Sequence, residues 1–159
     1  MKKFLFAPLC ICSVIMGCNK DNGSNPATSL NTEVTLSYAT MNGKDLLDPS
    51  TPNHINYQNT DLYYKNGDRE VKQFHGNLDL PKMFKIAEDR EGKYRLTVFM
   101  NSDVQNGELS TNILRYEHFK PDTIEARIVR NGNNVSYTDL VINGKPISYE
   151  DLKDFVLIK

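Results

Sequence analysis

From Thr32 onward the sequence predicts an all-β fold, a single two-sheet β-sandwich of about eight to ten short antiparallel strands. Three observations carry this expectation. Apolar and polar residues alternate over short runs, the pattern of half-buried strands. Five Asn-Gly pairs, at 42–43, 66–67, 106–107, 131–132 and 143–144, punctuate those runs. Asn-Gly accepts the positive φ that a type I′ hairpin turn needs at both central positions. Finally, no stretch of ten residues keeps a helical period, and Pro49, Pro52, Pro81 and Pro121 sit between the runs, where they interrupt no ladder.

In chain order, Val34, Leu36 and Tyr38 alternate with Thr35, Ser37 and Ala39. The clearest hairpin follows, Asp61–Lys65 and Asp68–Lys72 about a turn at Asn66-Gly67. A two-residue loop there sets Lys65 opposite Asp68, Leu62 opposite Val71 and Asp61 opposite Lys72, two charge-complementary pairs and one apolar pair. Phe84 and Ile86 lead to a turn at Glu88–Gly92, and Leu96, Val98 and Met100 form the next inward face. Ile113–Tyr116 is a short strand; Ile124, Ala126 and Ile128 face inward on a longer one that turns at 131–134 and returns over Tyr137–Ile142. Ser148-Tyr149-Glu150-Asp151 has the make-up of a capped helical turn. Phe155-Val156-Leu157-Ile158 has no polar alternation and is expected as a buried closing strand.

The N-terminus does not belong to this pattern. Lys2-Lys3 precede an apolar stretch, Phe4–Met16, too short for the ~20 residues that span a bilayer and laid out as a signal peptide. Ile15-Met16-Gly17-Cys18 resembles a bacterial lipobox. That resemblance implies cleavage after Gly17 and lipidation of Cys18, with acyl chains such as palmitate as the membrane anchor; two or more chains anchor durably without a transmembrane helix. Asn19–Asn31 is polar, with Gly23 and Pro26, and reads as a tether with an rms reach of ~20 Å. The expected organisation is a cleaved signal peptide (1–17), a lipidated Cys and flexible tether (18–31), and a β-sandwich domain (32–159). Lys20-Asp21 resembles the surface-export signal of Bacteroidota lipoproteins, with Asn22 where a second acid is usual.

Composition narrows the function classes. All three cysteines lie at or before position 18, so the domain has no thiolate nucleophile, no Cys metal site and no disulfide. With Lys2 and Lys3 removed, 17 basic residues face 20 acidic ones, a net charge of −3. A basic nucleic-acid-binding surface is therefore not expected. His54, His75 and His118 are dispersed, and Asn101–Glu108 places Gly107 one position late for a Ca²⁺ loop of EF-hand type. Asp45/Asp48 and Glu88/Asp89/Glu91 read as solvated acids, the latter beside Arg90 and Lys93. There is no GxSxG elbow and no P-loop, so no enzyme, cofactor or metal is expected. Trp is absent, and the tyrosines open to a glycan are expected in Tyr63/Tyr64 or beside Phe119 at Tyr116, with one of each pair facing inward. Asp122-Thr123-Ile124 resembles the Bacteroidota O-glycosylation sequon, with Thr123 as acceptor in a turn after Pro121. Asn134-Val135-Ser136 fits the eukaryotic N-glycan sequon, which has no bearing on a bacterial lipoprotein.

Lipobox, polar tether, Met41-Asn42-Gly43-Lys44-Asp45-Leu46-Leu47-Asp48-Pro49, a Tyr-rich strand, Asp122-Thr123-Ile124 and the late Asn143-Gly144-Lys145 hairpin together resemble small uncharacterised Bacteroidota outer-membrane or surface lipoproteins. Val141-Ile142 departs from the aromatic often found before that last Asn-Gly. The resemblance implies a β-sandwich and an envelope location, surface-exposed or periplasm-facing, and transfers no catalytic residue. The expected role is a protein-interaction or accessory module of the envelope, with a sheet edge open to strand addition. A glycan-binding surface lipoprotein is the alternative.

Overall fold

A computed structural model describes residues 29–159. The strands are β1 (Leu30–Asn31), β2 (Glu33–Ala39), β3 (Thr60–Asn66), β4 (Arg69–Lys72), β5 (Phe84–Glu88), β6 (Tyr94–Phe99), β7 (Leu109–Tyr116), β8 (Asp122–Asn131), β9 (Asn134–Ile142), β10 (Lys145–Pro146) and β11 (Val156–Ile158), with one helical turn, α1 (Tyr149–Leu152). They form two sheets. The larger has the order β1-β9-β8-β7-β3-β4, with β10 also on β9; the smaller has the order β11-β2-β6-β5. The all-β sandwich is therefore the fold.

Alternation does the work along β2, β6 and β8. Val34, Leu36 and Tyr38, Leu96 and Val98, and Ile124, Ala126 and Ile128 are all buried, while their neighbours face out. The two inner faces meet in one core that also takes Leu62, Phe84, Leu114 and Ile142. Leu30–Ala39 is a strand that changes sheets. β1 pairs with β9 of the larger sheet, Thr32 turns the chain inward, and β2 pairs with β6 of the smaller.

Five expectations need correction. First, not every pairing is antiparallel: β1 runs parallel to β9 and β11 parallel to β2. Both are short edge strands, and neither is joined to its parallel partner by a tight hairpin.

Second, the hairpin at 66–67 exists, but Asn66 pairs with Arg69 and Tyr64 with Val71. Gly67 is the first central residue of the turn, at φ 59°. That geometry suits a II′ turn and moves the register by two residues. A two-residue shift keeps each side chain on its face, so alternation could not detect it. Asp61 still reaches Lys72, diagonally, at 2.6 Å. Asn143-Gly144 does form the I′ arrangement, with φ 52° and 76°.

Third, β7 starts at Leu109 rather than Ile113. Ser110 and Asn112 occupy its inward positions, which hides the apolar pattern. Asn112 accepts from the Asn101 backbone N–H at 2.8 Å and donates to Ser110 Oγ at 3.0 Å, so the buried amide is satisfied.

Fourth, β9 starts at Asn134 and carries a bulge. Glu125 pairs with Val141 but Arg127 with Thr138, leaving one extra residue on β9, and Asp139 takes φ 53°. The bulge switches the inward positions from Val135 and Tyr137 to Leu140 and Ile142.

Fifth, Phe155–Ile158 is not buried throughout. β11 is an edge strand of three residues, and only Leu157 is buried; Val156 is 44% and Ile158 53% exposed. Ser148 caps α1 as expected, its Oγ accepting from Asp151 N–H at 3.1 Å and its hydroxyl donating to the Asp151 carboxylate at 2.6 Å.

Candidate functional site

Gly17, Cys18, Lys20 and Asp21, the residues of the cleavage, lipidation and export readings, lie outside the described residues. Thr123 lies within β8 opposite Ile113, half-buried, rather than in a turn. Its backbone N–H donates to Asn143 Oδ1 at 2.8 Å, and its carbonyl accepts from Asn143 N–H.

The other candidates are not brought together. His54 hydrogen-bonds Thr51 O, His75 hydrogen-bonds Gln73 Oε1, and His118 faces Glu117. Among the described residues, no group of three or more His, Cys, Asp or Glu is placed to hold a metal ion. In the 101–108 loop, Asn101 Oδ1 and Glu108 Oε2 accept from backbone N–H groups, and the Arg130 guanidinium reaches the carbonyls of Ser102 and Val104.

Asp45 and Asp48 cap backbone N–H groups of their own loop. Asp89 accepts from Glu91 and Lys93 N–H and from Arg95 Nε, and these bonds hold its carboxyl below the usual carboxylate range. Tyr64 is buried, its hydroxyl donating to Phe99 O at 2.7 Å, and Tyr63 lies beneath Arg115, 4.8 Å from the ring centroid. Tyr116 is buried edge-on to Phe119. As expected, one tyrosine of each pair faces inward, and neither pair forms an exposed platform.

What the fold assembles is a corner around β11. In a parallel pair only alternate residues of a strand bond the neighbour. Lys159 N–H donates to Ala39 O at 3.0 Å, so Leu157 and Lys159 face β2. The N–H and C=O groups of Val156 and Ile158 therefore point away from β2, off the edge of the smaller sheet. Their side chains share the outward face with Ser37 and Ala39, their register partners.

Two open clefts, of about 860 and 810 Å³, flank α1 beside this edge and share Asn31, Tyr137 and Tyr149. The second is floored by the outward side chains Glu33, Thr35 and Ser37 of β2 and walled by Arg95, Leu152 and Lys153. Arg95 is fixed there by Asp89 and by a hydrogen bond to Ser37 Oγ. Tyr149 is 81% exposed, and Tyr137 is half-buried with its phenol pushed up by burial and by the nearby Tyr149.

A second polar assembly lies inside the sandwich. Asp122, at the start of β8, is 1% exposed. Its Oδ2 accepts from Tyr116 at 2.8 Å and Tyr38 at 3.2 Å; its Oδ1 accepts from Asn143 Nδ2 and Lys159 Nζ, both at 2.7 Å. The group joins both sheets, since Tyr38 lies on β2 and Tyr116 and Asp122 on β7 and β8. Burial first, and then the Asp122 charge, pushes the Tyr38 phenol well up; burial does the same to Tyr116. Both remain protonated, and their hydroxyls lie 2.6 Å apart, so one donates to the other. Sequence reading passed over this cluster, although Asp122 shares the parity of Ile124, Ala126 and Ile128 and so sits on the inward face.

Compared with known protein families, curated proteins and solved structures, the chain matches none.

Proposed function

We propose that this chain is a lipoprotein of the bacterial outer-membrane envelope, held by acyl chains on Cys18. In this reading its β-domain is a protein-interaction or accessory module that takes an extended segment of an envelope partner along β11. The observation that supports it best is the character of that edge. Native sheets blunt their edges with charge, proline or brevity. β4 carries Arg69, Glu70 and Lys72, β5 carries Lys85 and Glu88, β10 carries Lys145 and Pro146, and β1 is two residues long. β11 is Val-Leu-Ile, uncharged, with two apolar side chains in solvent. A segment adding there gains main-chain bonds to Val156 and Ile158 and alternate apolar contacts on the outward face.

The test is affinity purification of the full lipidated chain after crosslinking on intact cells. The reading expects one stoichiometric envelope partner, lost in Ile158→Lys, which guards the edge without touching the core. Equal recovery with Ile158→Lys contradicts it. Glycan binding is a second reading, favoured by Tyr137 and Tyr149 lining one cleft beside polar Asn31 and Thr138. A glycan array with the same chain and its Tyr149→Ala variant tests that reading separately.

A further inference from the structure

The Lys159–Asp122 pair differs from the other ion pairs among the described residues. Its side chains are 9% and 1% exposed, whereas every other pair has at least one partner 28% exposed or more. We propose that Lys159 and Asp122 join in an intramolecular amide bond, a covalent staple between the two sheets. The proposal stands independently of strand addition at β11.

The chemistry follows from the contacts. Lys159 Nζ lies 2.7 Å from Asp122 Oδ1, with the centroid of the buried Tyr116 ring 5.2 Å from Nζ. A proton passing from Nζ to Oδ1 along that hydrogen bond leaves a neutral amine against a carboxylic acid. The Nζ lone pair then attacks Cγ, and the C=O π pair moves onto Oδ2. Oδ2 already faces the hydroxyls of Tyr116 and Tyr38 at 2.8 and 3.2 Å; these lie 2.6 Å from each other, so one phenol donates to the developing oxyanion and is itself hydrogen-bonded by the other. A second proton leaves Nζ for Oδ1, which departs as water when the Oδ2 pair collapses back. The third proton stays as the amide N–H.

The step is a dehydration, with no oxidant, reductant or leaving group beyond water. Fixed contact substitutes for activation, since well-oriented intramolecular partners reach effective molarities of about 10⁵–10⁸ M. The product keeps its partners: the new N–H faces Lys120 O, 2.9 Å from Nζ, and the new carbonyl keeps the tyrosines. The described domain contains no cysteine, so no disulfide can tie the sheets in the oxidising envelope that the signal sequence predicts.

Mass spectrometry of the purified full chain decides it. Folded protein, aged at growth temperature, should be lighter by one water than its sequence and lipids require. Trypsin does not cut Lys120-Pro121, so it should release a branched peptide joining residues 116–127 to 154–159. Lys159→Arg keeps the charge but offers no amine; it should show full mass, linear peptides and a lower unfolding midpoint. Recovery of linear 116–127 and 154–159 at full mass from aged, folded wild-type protein overturns the proposal.

Discussion

The two sheets end in different ways. The larger sheet ends at β4, whose charges are engaged: Lys72 pairs with Asp61, and Glu70 with Arg115. The smaller sheet ends at β11, which has no charge and owes its place to three attachments: parallel pairing with β2, burial of Leu157, and Lys159 anchored on Asp122. One edge is guarded and held by its hairpin. The other is open and held from inside. A charged edge is held by its own ion pairs, whereas an uncharged one takes its order from the core behind it.

The largest effect should come from cutting the interior attachment. Asp122→Ala removes the carboxylate shared by Lys159, Asn143 and the phenols, leaving the buried Lys159 charge only the Lys120 carbonyl and the phenols only each other. Breaking a buried pair in this way costs about 3–5 kcal/mol, read as a lower midpoint in urea unfolding, with fast hydrogen exchange confined first to β11. Leu157→Ala removes the one buried side chain of β11 and should cost about 2–3 kcal/mol, less than a central core site because the edge can relax. If either variant leaves β11 exchange unchanged, the account of how that edge is held is wrong.

The guarded edge should respond more weakly, and through pH. Burial alone would raise the Asp61 carboxyl, but hydrogen bonds from Lys72 and Lys82 overcome it and hold the folded value below the ordinary one. A depressed carboxylate contributes stability above its unfolded value and loses it as pH falls through its folded value. Wild type should therefore exceed Asp61→Asn near neutral pH by about 1 kcal/mol or less. The two should converge as pH falls through the acid range; a gap that stays constant contradicts the ion-pair origin. The smallest stability effect is expected for Ile158→Lys, whose side chain is already in solvent. Its unfolding midpoint should match wild type while partner recovery falls at least tenfold.

How far the sequence revealed this depended on what each residue faces. β2, β6 and β8 were legible because an apolar set with a period of two has one burial solution. β7 was shortened because Ser110 and Asn112 take core positions as a satisfied polar pair, which composition cannot announce. β11 was misjudged for the opposite reason: four consecutive apolar residues, Phe155–Ile158, read as burial on both faces, and edge position is a property of topology rather than of a local run. The 66–67 register escaped because a two-residue slip preserves every face. At the candidate site, which sheet edge would be left uncharged was not legible, because it depends on the order of strands in the sheet. Tyr137 on β9 and Tyr149 on α1 line one cleft, a juxtaposition set by topology rather than adjacency, while the tyrosines singled out by adjacency divide between core and surface.

The most direct test places a photo-crosslinking side chain at Val156, on the open edge, or at Glu70, on the guarded one, in the full chain on intact cells. Adducts to one defined envelope protein from position 156, with none from position 70, are the expected result. Equal labelling from both positions, or adducts from position 70 alone, would contradict the claim that β11 is where this protein meets its partner.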